Sequence, residues 1–166
     1  MINEKIPERH AAKALLTLRE RPDEYIFVAG ERGRLNLPGG GIDMGEDAQE
    51  ALLRELAEEL NLTPEQIAHL EEIGGTKARV DTKSGEIKTA VWHLFEGELD
   101  MSPDELSYGS EVTNLAIMSV EQYSSLADTQ TSKLAKNALR FSTGIDAREL
   151  AKNIRPAPFN IDTTVV

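Results

Sequence analysis

Hydrophobic and polar positions along the chain follow two periods. Residues 11–18 form an apolar-rich run, and residues 25–29 (Tyr25-Ile26-Phe27-Val28-Ala29) are β-branched and aromatic. Both read as strands. The charged stretch 19–24 between them carries the breaker Pro22, so the pair is expected to form a hairpin. A short strand is expected at 34–37. It runs into Pro38-Gly39-Gly40-Gly41, where the chain must turn sharply and glycine permits positive φ. From Asp47 the period changes. Residues 47–60 read as a helix, with Asp47 as N-cap and Glu50 three residues on completing a capping box. Strands are expected at 76–80 and 86–95 around a turn at 81–85. An acidic loop at 96–110, a strand at 111–120 and a helix over 121–141 follow. This order predicts an α+β protein, an α/β/α layered sandwich with a mixed sheet. One domain is expected over 1–143. The tail, 144–166, contains a short helix at 146–153 and is otherwise irregular.

The helix at 47–60 carries the candidate chemistry. Glu55, Glu58 and Glu59 stand at i, i+3 and i+4. At about 100° per residue they share an arc of roughly 100°. Leu52, Leu56, Leu60 and Leu53 form the adjoining apolar arc. Crowded carboxylates repel unless a cation offsets them, and oxygen-only ligands favour Mg²⁺, Mn²⁺ or Ca²⁺ over zinc. The ordinary reading of Glu-x-x-Glu-Glu is a solvated acidic face. Here a glycine turn precedes the helix, and Arg54 beside the cluster is suited to hold a carboxylate by a bidentate pair.

Composition narrows the functional class. The chain has 166 residues, 40% hydrophobic and 28% charged, with 29 acidic and 18 basic residues and a net charge of −11. That balance excludes a phosphate-coating nucleic-acid binder and an anionic membrane surface as partner. A small nucleotide-like substrate stays compatible, because metal ions reverse the local field. The sequence leaves a homodimer open. There is no cysteine, hence no disulfide, thiolate nucleophile or Cys-based zinc site. Without a signal-peptide pattern or an apolar stretch near 20 residues, the expected location is cytoplasmic.

Residues 40–62 resemble the signature of the Nudix hydrolase family: Gly, five residues, Glu, seven residues, Arg-Glu, an aliphatic, any residue, Glu-Glu, any residue, Gly, an aliphatic. Gly40, Glu46, Arg54, Glu55, Leu56, Glu58, Glu59 and Leu62 match, and Asn61 stands where the family has glycine. A chance match of the six specified residues is on the order of one in 10⁵. The resemblance implies that Glu58 and Glu59 bind Mg²⁺. It makes Glu55 the holder of a metal-bound water and candidate base, and the Gly39 carbonyl a further metal ligand. Glu46 with Arg54 would order the loop and helix. The implied reaction is hydrolysis of a phosphoanhydride in a nucleoside diphosphate linked to another group.

Substrate choice in this family is made outside the signature. There is no Ser-Gln-Pro-Trp run. Lys77-Ala78-Arg79-Val80 lacks the proline of the ADP-ribose group and the tyrosine of the dinucleoside-polyphosphate group. Elimination, with a MutT-like Leu37-Pro38-Gly39-Gly40, leads to a nucleoside triphosphate giving monophosphate and pyrophosphate. An ADP-sugar or dinucleotide pyrophosphatase and a non-catalytic nucleotide-binding module compete with that reading. A fourth carboxylate is expected after the signature from Glu96, Glu98, Asp100, Asp104, Glu105 or Glu111, and Glu111 is favoured because it opens an expected strand. His10, His69 and His93 are scattered in sequence and read as structural or surface residues. Trp92 and Phe95 read as core, and Tyr108 as an exposed loop residue.

Overall fold

A computed structural model of the chain describes residues 6–81, 84–143 and, as backbone, 161–162. The elements run β1 (Glu8–Leu18), β2 (Tyr25–Ala29), β3 (Leu35–Asn36), β4 (Gly39–Gly41), α1 (Ala48–Leu60), β5 (Ile67–Asp81), β6 (Ile87–Leu99), β7 (Asn114–Met118), α2 (Val120–Ser125), α3 (Lys133–Thr143) and β8 (Ile161–Asp162). One sheet has the order β4-β1-β6-β5-β8, with β1 parallel to β6 and β8 parallel to β5. The other has the order β3-β2-β7 and is antiparallel.

Strand alternation divides the interior in two. Ala12, Ala14, Leu16 and Leu18 of β1 pack with Phe95 and Leu99 of β6 against Leu52, Leu56 and Leu60 of α1. Leu15, Trp92 and Leu94 point the other way, toward Tyr123, Leu134, Ala138 and Leu139 of α2 and α3. Each such buried leucine contributes about 1.5–3 kcal/mol. One mixed and one antiparallel sheet between helical layers form the expected α/β/α arrangement. Trp92 and Phe95 are both buried in it. Leu53, placed in the apolar arc by its angle, is only half-buried.

Several elements depart from the sequence expectation. β1 and β2 do not form a hairpin. β1 pairs with β4 and β6, and β2 with β3 and β7, so the proline turn carries the chain from one sheet to the other. β5 starts at Ile67, not residue 76, and β6 runs to Leu99, through the start of the expected acidic loop. Pairing on both sides of β6 overrides the weak strand propensity of its glutamates, and a register shift between Glu72 and Gly74 in β5 absorbs the glycine-containing stretch. The expected helix over 121–141 is split. Leu35 N donates to Gln130 O and Ser132 N to Leu35 O, so β3 draws the segment between α2 and α3 out of helical geometry. The helix expected at 146–153, and the rest of the tail except β8, lie outside the described residues, as do positions 82–83 of the expected turn.

α1 begins and ends as its sequence dictates. The Asp47 side chain accepts from Glu50 N at 2.8 Å, and Glu50 accepts from Asp47 N at 2.9 Å. The helix stops at Asn61, which takes the left-handed conformation (φ 53°, ψ 30°) while Leu62 N reaches back to Leu56 O. Asn61 Nδ2 also donates to Ser107 Oγ at 2.9 Å, on the surface. Asn61→Gly exchanges one tolerated left-handed residue for another and loses that exposed bond. Stability is expected to change by about 1 kcal/mol or less, with turnover close to wild type. Denaturant melts and steady-state assays check this, and a large loss of turnover would assign the amide a role beyond capping.

Candidate active site

The site is assembled where α1 crosses the Pro38–Gly41 segment. Gly39–Gly41 is itself a short strand, β4, and not merely a turn. It pairs with Ala11–Lys13 of β1. Gly39 has φ +125°, and a Cβ there would collide with the Ala12 carbonyl, so only glycine lets the two backbones approach. At Gly40 a Cβ would stand 2.5 Å from the Glu55 carboxyl carbon. The missing side chain is the space that Glu55 occupies.

Arg54 ties the preceding loop to the helix. Its Nε and Nη2 donate to the two carboxylate oxygens of Glu46, each at 2.9 Å, and Nη2 also reaches Gly41 O at 2.9 Å. Its Nη1 donates to Glu55 Oε1 at 2.9 Å and lies 3.6 Å from Glu58 Oε1. The guanidinium, with the Asp43 amide, holds the Glu46 carboxyl down at about 2. Glu46 and Arg54 thus join the loop to Glu55.

Glu59 is the inward carboxylate. It accepts from Gly39 N at 2.9 Å. Burial pushes its carboxyl up to about 7; Lys13 and the Gly39 amide oppose that rise, while the Glu55 and Glu111 charges add to it. Glu58 is exposed. The three glutamates therefore occupy different depths: Glu59 against the sheet, Glu55 against Gly40, Glu58 at the surface.

Sequence reading missed Lys13. It is buried on β1, its Nζ donates to Gly39 O at 2.9 Å and Leu37 O at 3.3 Å, and it lies 5.3 Å from the Trp92 ring centroid. Burial lowers its pKa, opposed by Glu59 and Glu55. A lone lysine in an apolar strand run is visible in the sequence, but its partners are not.

A cleft of about 1100 Å³ is lined by Lys13 and Glu59 together with Arg32, Arg34, Asn36 and Glu111. The arginines belong to the β2–β3 connection and were not singled out by sequence. Glu111 does not open a strand. It sits in an exposed turn, and β7 begins at Asn114, because pairing with β2 ends at Ala29↔Asn114. Its place on the cleft comes from that turn. The other fourth-carboxylate candidates are engaged elsewhere or merely exposed. Glu98 and Asp100 meet Arg19 at 3.3 and 3.0 Å. Glu105 caps Ser102 N at 2.8 Å, Glu96 lies within β6, and Asp104 is exposed. Tyr108 is half-exposed in its loop.

The donor set suits a hard divalent cation. Three carboxylates and one carbonyl offer oxygen alone, and the raised Glu59 marks a place where added positive charge is favourable. Among the described residues, no group of three or more acidic or histidine side chains stands ready around one point. Arg54 and Lys13 hold Glu55 and Gly39 O in its place, and the carbonyl keeps a second lone pair.

A family model described as the NUDIX domain matches residues 8–140. The chain belongs to the Nudix family. Solved structures agree with that assignment. A C. elegans Ap4A hydrolase in a binary complex superposes with a TM-score of 0.64 at 25% identity, covering 82% of this chain and 97% of that one. A MutT protein from Methanosarcina mazei Go1 gives 0.61 at 18% identity over 86% and 98%. The Nudix domain of Shewanella oneidensis NrtR, complexed with ADP ribose, gives 0.63 at 14% over 84% and 89%. Among curated proteins no sequence match was found. The chain is accordingly an enzyme of the Nudix pyrophosphohydrolase class. No described helix is long and apolar enough to cross a membrane.

Proposed function

We propose that this Nudix enzyme hydrolyses a phosphoanhydride of a nucleoside diphosphate linked to another group, with Mg²⁺, and that its leading substrate is a nucleoside triphosphate cut to monophosphate and pyrophosphate. The observation that carries this reading is the shared cleft. Glu59 and Glu111 line it together with Arg32 and Arg34, so carboxylates for a cation and guanidinium groups for phosphate oxygens face one space. Glu55, Glu58, Glu59 and the Gly39 carbonyl would hold the Mg²⁺. When bound, the ion neutralises phosphate charge and lowers the pKa of a water. Arg54 fixes Glu55 in orientation, and Glu55 is the group suited to take a proton from the attacking water. Lys13 keeps β4 and the Glu59 carboxylate seated on the sheet. Arg32 and Arg34 would bind and orient the phosphates.

Two nucleotide-linked readings stay beside it. Among the similar structures are an Ap4A hydrolase and a domain bound to ADP ribose, so dinucleoside polyphosphates and ADP-sugars belong in the same test. The experiment is a panel of nucleoside triphosphates, dinucleoside polyphosphates and nucleoside diphosphate sugars with Mg²⁺ or Mn²⁺, with product identification. Monophosphate and pyrophosphate from a triphosphate support the leading reading. Binding without turnover across the panel would replace it with a nucleotide-binding module.

Glu111 is proposed as the carboxylate that completes the site from outside α1. Its charge bears on Glu59, and it lines the same cleft. Glu111→Gln is expected to lower turnover about 10-fold to 100-fold, or to raise the Mg²⁺ requirement, with little change in stability because the turn is exposed. Assays across Mg²⁺ concentration check this. Wild-type behaviour throughout would remove Glu111 from the site.

A further inference from the structure

Away from the glutamate cleft, the first sheet gathers four titratable side chains into one row. His10 on β1 and His93 on β6 are far apart in sequence. Parallel pairing sets His10 opposite Val91 and Ala12 opposite His93, so both rings project from the same face. Nδ1 of His10 lies 2.9 Å from Nε2 of His93, and the ring centroids are 5.2 Å apart. The outer nitrogen of each ring faces a carboxylate. His10 Nε2 is 3.1 Å from Glu8 Oε2, and His93 Nδ1 is 3.4 Å from Glu72 Oε1. Glu8 also lies 3.6 Å from Lys77 Nζ.

An ionised carboxylate only accepts, so Glu8 favours the hydrogen of His10 on Nε2, and the 2.9 Å contact between the rings is then a hydrogen bond from His93 Nε2 to His10 Nδ1. A metal ion on the two facing nitrogens would take the place of that hydrogen and turn the His93 N–H toward Glu72. A tetrahedral metal with bonds of about 2.0–2.1 Å would set its two histidine nitrogens about 3.3 Å apart, a few tenths of an ångström from what is found. Imidazole ligands select zinc, copper or nickel over magnesium, the opposite preference to the glutamate set. Carboxylates on the outer nitrogens are the usual means of fixing a metal-binding histidine in tautomer and orientation.

We propose that His10 and His93 form a two-histidine site for a borderline divalent metal ion such as Zn²⁺, oriented by Glu8 and Glu72. The side chains are 43% and 23% exposed, so an ion reaches the pair from solvent and water fills its remaining positions. The His10 carbonyl accepts from Ile42 N at 3.0 Å, next to the Gly41 that Arg54 holds, which connects this site to the loop of the reaction centre.

The test titrates the metal-free full-length chain with Zn²⁺ in saturating Mg²⁺, followed by calorimetry and by NMR of the histidine rings. One equivalent of Zn²⁺ is expected to shift the His10 and His93 resonances together. His69, which faces Glu71 at 3.5 Å, should stay unmoved. His10→Gln and His93→Gln should each weaken Zn²⁺ binding at least about tenfold, with Mg²⁺-supported turnover near that of wild type. Undiminished Zn²⁺ affinity in the folded variants would place the ion elsewhere and overturn the proposal. So would a wild-type titration in which the two rings do not shift, a result that needs no variant to fold.

Discussion

Glu59→Gln is expected to leave the chain folded and to lower Mg²⁺-supported turnover by about 10²–10³-fold. Glutamine keeps an oxygen to accept from Gly39 N, so the 2.9 Å contact that seats α1 on β4 can persist. What disappears is the charge. In the folded chain that charge is partly buried, and burial pushes its carboxyl up to about 7. Removing it relieves the desolvation and the repulsion from Glu55 and Glu111. It also deprives buried Lys13 of its strongest opposite charge. The two changes oppose each other, so the melting temperature without metal should stay near wild type or rise, while any rise produced by added Mg²⁺ should shrink. Thermal melts with and without Mg²⁺ and steady-state kinetics read both. Near-normal turnover in the folded variant would remove Glu59 from the site. Glu58→Gln should lose comparable turnover with a smaller change in melting, since Glu58 is exposed.

Gly39→Ala should be among the most damaging small substitutions at the described residues. At φ +125° an L-residue is strained, by about 1–3 kcal/mol. The added methyl would also meet the Ala12 carbonyl, which is backbone within a paired strand and cannot swing aside. Relief requires β4 to separate from β1. That separation would pull the Gly39 amide from Glu59 and the Gly39 carbonyl from Lys13. A loss of about 3 kcal/mol is expected, equivalent to a melting temperature lower by about 6–12 °C for a chain of this size, with turnover falling by at least about 10²-fold. Calorimetry and kinetics on the same preparation check it. An unchanged melting temperature would mean that β4 is not held against β1 as described. Gly40→Ala provides a contrast. There the methyl meets the Glu55 carboxyl, a side-chain end, so activity should suffer more than stability.

α1 and its glutamates were legible in the sequence because everything that specifies them lies within a few residues. Asp47 and Glu50 cap each other, Asn61 ends the helix in the left-handed region, and the leucine period sets which side is buried. The order of the three glutamates around the helix follows from the same period, whereas the reach of Arg54 to its neighbour Glu55 was shown only by the structure. The strands at 11–18 and 25–29 were legible from apolar composition. Which sheet each entered was not, because alternation says which face is buried but not which neighbour donates the hydrogen bonds. Tertiary pairing decided that β1 lies between β4 and β6, that β6 continues through Glu96 and Glu98, and that β3 splits the helix expected over 121–141. It also decided the depth of each glutamate, the burial of Lys13 beneath Gly39, and the approach of Arg32, Arg34 and Glu111 to one cleft. His10 and His93 show the reason most directly. Their contact depends on the register of two parallel strands with most of the domain between them in sequence, and no local spacing encodes such a register.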